Sequence, residues 1–271
     1  MFPVFEIFGK QIGMYGVMAV LGFAACVLVG SRLIKRFDID IYDFALVMIA
    51  ACVSLVIFAS LLYGLTNIRL LIAAFSKLDK IGWKGLWAII RYAFGGIVFY
   101  GGFIGGGIGI LIYTKYAKEL QGHRDHILDI YAVLTPLFHT FGRIGCFLGG
   151  CCYGVESEFG FTVHNNTLNP SINDVNRFPI QLVESACCFV LFWALLTLFR
   201  KRIMESRLIY LYMLTYPVIR FITEFFRGDE YRGIFFGLST SQWVSIGLFI
   251  FALIMLPVKT KKLKAQAPPL Q

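Results

Sequence analysis

Seven stretches of this chain are long and almost wholly apolar, and polar residues gather between them. About 20 mostly apolar residues suffice to cross a hydrocarbon core. On that measure the predicted spans are 13–33, 42–65, 94–113, 129–150, 181–199, 208–226 and 241–258. The third is rich in glycine. The fourth carries Asp129, His139 and Arg143, so lipid cannot surround it. Two of the intervening pieces are larger. Residues 66–93 mix apolar and basic positions with Trp83 and Trp87, the pattern of helices lying in a membrane interface. Residues 153–180 are polar and turn-rich, with Asn165-Asn166 and Asn169-Pro170, and predict a small cap outside the membrane.

The basic residues give these spans a direction. Lys35 and Arg36 follow the first span; Lys115, Lys118 and Arg124 follow the third. Arg200, Lys201 and Arg202 follow the fifth, and Lys259, Lys261, Lys262 and Lys264 follow the seventh. Alternate ends lie on one side, and Lys/Arg-rich loops face the cytoplasm. Lys77, Lys80, Lys84 and Arg91 run against that pattern. The expected fold is an all-α integral membrane protein of seven transmembrane helices, N-terminus outside and C-terminus cytoplasmic. Residues 1–258 form one membrane domain and 259–271 a basic tail, loose from Ala265 onward. The opening residues read as a lead-in to the first span rather than a signal peptide, because Glu6 precedes Lys10 and no small-residue cleavage site follows.

Composition narrows the function classes. Hydrophobic residues make up 58% of the 271 and charged residues only 15%, against about 45–50% and about 25% in average soluble domains. A soluble enzyme and a disordered chain are both excluded. The net charge of +9 falls in clusters between apolar runs, so it points to a membrane and to no nucleic acid.

Ionisable groups inside spans are expensive and mark function. Arg220, Glu224 and Arg227 stand at i, i+4 and i+7, on one helical face. They form either a salt-bridge ladder or an anion site whose guanidinium forks suit a phosphate. His139 and Arg143 share a face of the fourth span in the same way. Arginines from two spans make a membrane-embedded phosphate pocket, and phospholipid is the phosphate source at that depth. In the third span Gly101/Gly105, Gly102/Gly106 and Gly105/Gly109 have small-xxx-small spacing. That spacing serves close helix packing, a bare backbone surface for a lipid headgroup, or both. Of seven cysteines, Cys26, Cys52, Cys187 and Cys188 lie in apolar segments, and Cys146, Cys151 and Cys152 cluster. The cluster lacks the C-x2-C spacing of zinc and iron–sulfur sites. A disulfide or simple packing is expected, with no metal and no cofactor.

Six segments stand out together: Tyr15-Gly16; Tyr100-Gly101-Gly102-Phe103-Ile104-Gly105; Gly142-Arg143-Ile144-Gly145-Cys146-Phe147; Phe178-Pro179-Ile180-Gln181-Leu182-Val183-Glu184; Arg220-Phe221-Ile222-Thr223-Glu224-Phe225-Phe226-Arg227; and Ser241-Gln242. Together they resemble the prolipoprotein diacylglyceryl transferase family. They occur in family order along nearly the whole chain. The resemblance implies a multi-pass enzyme of the bacterial plasma membrane. Its activity moves the diacylglyceryl group of phosphatidylglycerol onto the lipobox cysteine of a preprolipoprotein signal peptide. It also implies catalytic roles for Arg143 and Arg220, with Tyr100 and His139 beside them as the catalytic candidates on the thiol's side, and substrate-binding roles for Tyr15, Gly101, Gly102, Asp129, Glu184, Glu224 and Arg227. The family's histidine is Tyr100 here, its signature asparagine is Cys146, and Ser60 stands where the family tends to place arginine. A phenol is a poor base, so His139 and Glu184 become candidates to take the thiol's proton. The other readings are a phospholipid-using transferase with another acceptor, and a lipid-binding or transport protein without chemistry.

Overall fold

The computed structural model of the protein describes residues 4–7, 10–164, 166, 170–229 and 234–266. Asn165 and Asn169 of the predicted cap and residues 267–271 of the predicted tail lie outside the described residues. The apolar runs are helical. They form α1 (Met14–Leu33), α2 (Ile41–Thr66), α5 (Phe99–Tyr116), α6 (Arg124–Gly149), α7 (Ile180–Arg200), α8 (Leu208–Thr223) and α9 (Thr240–Gln266). Between α2 and α5 lie α3 (Ile68–Phe75) and α4 (Leu78–Phe94).

Among the described residues, five helical stretches are long and apolar enough to cross a membrane. They are Met14–Phe37, Ile41–Thr66, Ile180–Arg200, Leu208–Phe226 and Thr240–Gln266. A sixth counts if α4 and α5, bent by 81° at their junction, act as one span. The predicted fourth span is the helix that fails on composition. Its helix α6 is 26 residues long and long enough to cross, but it holds Arg124, Asp125, Asp129 and Arg143. The predicted third span also begins later than its hydropathy suggests. Apolar residues continue through the break at Gly95 and Gly96, and the chain re-enters helix only at Phe99. The end of α9 corrects the predicted tail: Ala265 and Gln266 are still helical.

Among the described residues, three small antiparallel ribbons join the helices, and hydropathy does not predict them. They pair β1 (Val4–Ile7) with β2 (Lys10–Gly13), β3 (Glu156–Thr162) with β4 (Asn176–Arg177), and β5 (Ile234–Phe235) with β6 (Leu238–Ser239). The last closes through Phe236 and Gly237, both at positive φ, as a two-residue hairpin turn demands. Strands of two to four residues are too short to show alternation in sequence.

The chain divides into two compact units, Ile34–Leu128 and Met1–Leu33 with Asp129–Gln271. In the first, α5 lies antiparallel on α2. A Cβ added at Gly101 would stand 2.5 Å from the Phe58 carbonyl oxygen, at Gly105 2.5 Å from that of Ser54, and at Gly109 2.6 Å from that of Ala50. Glycine is what lets the two backbones touch. Gly105→Ala should therefore cost about 1–3 kcal/mol by overpacking, read as a lowered unfolding temperature in detergent. Gly247→Ala, where a Cβ meets nothing within 4 Å, is the control and should leave it unchanged.

In the second unit α1 runs antiparallel to α6. Gly22 sits against Phe138 and Phe141, and Gly145 against Tyr15 and Met18. The Cys26 thiol faces the Leu134 carbonyl at 3.5 Å. Helix α7 docks on α6 through Ser185, whose hydroxyl donates to the Thr140 carbonyl at 3.0 Å.

Candidate active site

The site is built around one carboxylate. Along α7 the buried positions Gln181, Glu184, Ser185, Cys188, Leu191, Phe192 and Leu195 recur every three to four residues, so they form one face. That face carries Glu184 inward until it is 1% exposed. From α6, Arg143 Nη2 reaches Glu184 Oε2 at 2.6 Å. From α8, Arg220 Nη1 reaches the same oxygen at 3.3 Å. Tyr216, one turn before Arg220, donates its hydroxyl to Oε1 at 3.2 Å. His139 Nε2 stands 3.7 Å from Oε1, while its Nδ1 lies 3.6 Å from Cys188 Sγ. Three helices thus converge on Glu184.

Arg220 extends the network. Its Nη2 pairs with Glu224 Oε2 at 2.5 Å and donates to Ser241 Oγ on α9 at 3.3 Å. Two guanidiniums therefore face two carboxylates, and their formal charges balance. An uncompensated ion at this burial would be costly. Arg143 keeps a donor in reserve: its Nε is buried with no hydrogen-bond partner among the described residues.

Other predicted site residues make different contacts. Arg227 does not join Arg220 and Glu224. Helix α8 stops at Thr223, and a 3-10 turn over Glu224–Phe226 takes Arg227 off the expected face. It pairs instead with Asp229, Nε to Oδ1 at 3.0 Å and Nη2 to Oδ2 at 2.6 Å. Tyr15 packs on Gly145, two residues beyond Arg143. Tyr100 is buried on α5 in the other unit. There Gly101 and Gly102 face α2, against Phe58, Ala59 and Leu55. At these two positions, α2 covers the bare backbone that the sequence suggested for a headgroup.

Residues 3–258 match the family model described as prolipoprotein diacylglyceryl transferase. The chain belongs to this family. A phosphatidylglycerol–prolipoprotein diacylglyceryl transferase of Clostridium tetani is 36% identical over 258 residues, covering 92% of this chain and 95% of the relative. The second transferase so named in Clostridium perfringens is 30% identical over 266 residues, covering 95% and 94%. One from Campylobacter jejuni is 26% identical over 276 residues, covering 95% and 93%.

In this diacylglyceryl transferase family member, Asp129 sits far from the arginines. It precedes Arg143 on α6 by about 21 Å at about 1.5 Å per residue. Its Oδ1 accepts from the Leu208 N–H at 2.8 Å and its Oδ2 from the Ser206 N–H at 2.5 Å. Arg202, Met204 and Ser206 all have positive φ, and of this loop and the start of α8 the N–H groups of Ser206 and Leu208 are the ones turned to the carboxylate. Asp129 supplies the anion and caps α8. Asp129→Ala should cost about 1–2 kcal/mol, the value of a helix N-cap, seen as a lower unfolding temperature; Asp129→Asn, which keeps one acceptor, should lose less.

The sequence reading gave no site role to two residues of this cluster, Tyr216 and Ser241. Tyr216 lies four residues before Arg220, and that spacing alone would have nominated it. Ser241 entered only as part of a matching segment, because nothing local marks a serine that meets an arginine from another helix.

Proposed function

We propose that this protein transfers the diacylglyceryl group of phosphatidylglycerol to the lipobox cysteine of preprolipoproteins, in a bacterial plasma membrane. The chain crosses that membrane seven times, with its N-terminus outside and its lysine-rich end in the cytoplasm. Family membership supports the reaction. The observation that carries the mechanism is the meeting of Arg143 and Arg220 on Glu184, at 2.6 and 3.3 Å.

The reaction is a displacement at carbon. The cysteine sulfur forms a bond to the glyceryl carbon, the bond from that carbon to the phosphate oxygen breaks, and glycerol phosphate leaves with the electron pair. The thiol proton goes to a base. Negative charge grows on the departing phosphate, and donors fixed beforehand lower that barrier without reorganising. Arg143 Nε is such a donor, and Glu184 holds both guanidiniums in place. His139, with Nε2 beside Glu184 Oε1, is the base in this scheme. Asp129, Gly101, Gly102 and Arg227 then act by holding helices and loops rather than by touching lipid, and Tyr15 lines the approach beside Gly145.

Purified protein in phosphatidylglycerol vesicles, given a lipobox peptide, should release glycerol phosphate and add one diacylglyceryl mass to the peptide. Headgroup release with an unmodified peptide would mean another acceptor; lipid binding with neither event would mean a protein without this chemistry. His139→Gln should lower turnover about 10²–10⁴-fold, the usual range for a general base. Tyr100→Phe should leave it near the parent rate. The reverse pattern would move the base to the phenol.

A further inference from the structure

Beyond Arg143 on α6 the structure gathers three thiols. Cys146, Cys151 and Cys152 are all free, and their Sγ atoms lie within 4.8 Å of one another. The cause is the way α6 ends. The Cys151 N–H donates to the Cys146 carbonyl at 3.1 Å and the Gly150 N–H to the Phe147 carbonyl at 3.3 Å, with Gly150 at φ +72°. This is a Schellman ending, in which the sixth residue folds back over the first. The two residues that such an ending brings together usually make an apolar contact; here both are cysteine. The next residue, Cys152, also has positive φ, at +54°, and turns the third thiol into the same space. Non-glycine residues seldom hold that conformation.

We infer that Cys146, Cys151 and Cys152 form a three-coordinate thiolate site for a soft monovalent cation, copper(I). Thiolate sulfur selects soft ions of this kind. Three sulfurs about 2.3 Å from one centre stand about 4 Å apart in a plane, which rotation of these side chains reaches from the distances observed. No fourth histidine, cysteine or carboxylate joins the group among the described residues, so the set suits trigonal copper(I) better than tetrahedral zinc. Cys146 is buried and Cys151 is exposed, giving the site a floor and an entrance. On binding, three S–H protons leave to solvent and three Cu–S bonds form, with no change of oxidation state. The resulting double negative charge lies one helical turn from Arg143. It also lies beside Arg227, whose backbone bridges Gly154.

The test uses the whole chain, reduced and purified in detergent without oxygen, titrated with copper(I) alone and separately with zinc(II) alone. One copper(I) per chain should resist a copper(I)-specific chelator and give a thiolate-to-metal charge-transfer band in the ultraviolet. C151S, at an exposed position, and the triple C146S/C151S/C152S variant should lose both signals. C52S/C187S should keep them. Retained copper in C151S, no copper above the level of the triple variant, or zinc held in place of copper would each overturn the assignment.

Discussion

Glu184→Ala should produce a protein that folds poorly and turns over no lipid. Removing this carboxylate leaves Arg143 and Arg220, each less than one-tenth exposed, facing one another without the anion that joins them. Breaking a buried pair from one side costs about 3–5 kcal/mol, because the remaining charge is stranded. Here two charges are stranded, and Tyr216 loses its acceptor. Thermal unfolding in detergent measures the loss. Glu184→Gln separates the two consequences. It keeps the side chain's volume and one acceptor oxygen, so more stability should return than activity, because the arginines would no longer be drawn to one point. Parent-like stability in Glu184→Ala would show that the guanidiniums find other partners, and the carboxylate would lose its central place.

Arg143→Ala should lower turnover by at least about 10²–10³, the scale of losing one donor to a developing oxyanion. Arg143→Lys is the more telling variant. An ammonium retains the charge, but it cannot hold Glu184 with one nitrogen while presenting another along a fixed plane. It should stay close to the parent in stability and close to the alanine variant in rate. Glycerol phosphate release under saturating phosphatidylglycerol is the readout. Rates in the lysine variant near those of the parent would reduce Arg143 to a source of charge and remove the directional role of its Nε.

The helices were legible because lipid imposes one demand, a long apolar run, and the chain meets it repeatedly. The predicted 42–65 is the helix Ile41–Thr66, and 181–199 is Ile180–Arg200. The misplaced start at 94 has the same origin: hydropathy continues across a break that only backbone geometry reveals. The two arginines that meet on Glu184 were legible too, since a guanidinium inside an apolar run has few structural excuses. Glu184 entered through the resemblance, as a substrate-binding residue and one of two candidates for the thiol's proton, and nothing marked it as the centre of the site. Its centrality comes from three helices meeting, and no local spacing encodes that. Arg227 shows the converse, where an i+7 pattern assumed a helix that had already ended. The three thiols were visible as a cluster along the sequence, but that their sulfurs share one space follows only from the backward fold at Gly150.

Helix α8 is pinned near both ends by carboxylates from different neighbours, Asp129 of α6 at its first turn and Glu184 of α7 near its last. A piston-like slide or a roll about its own axis would break both anchors together. Arg220 is therefore carried on a helix that two neighbours hold against both movements, which fixes the height and bearing of its guanidinium over Glu184.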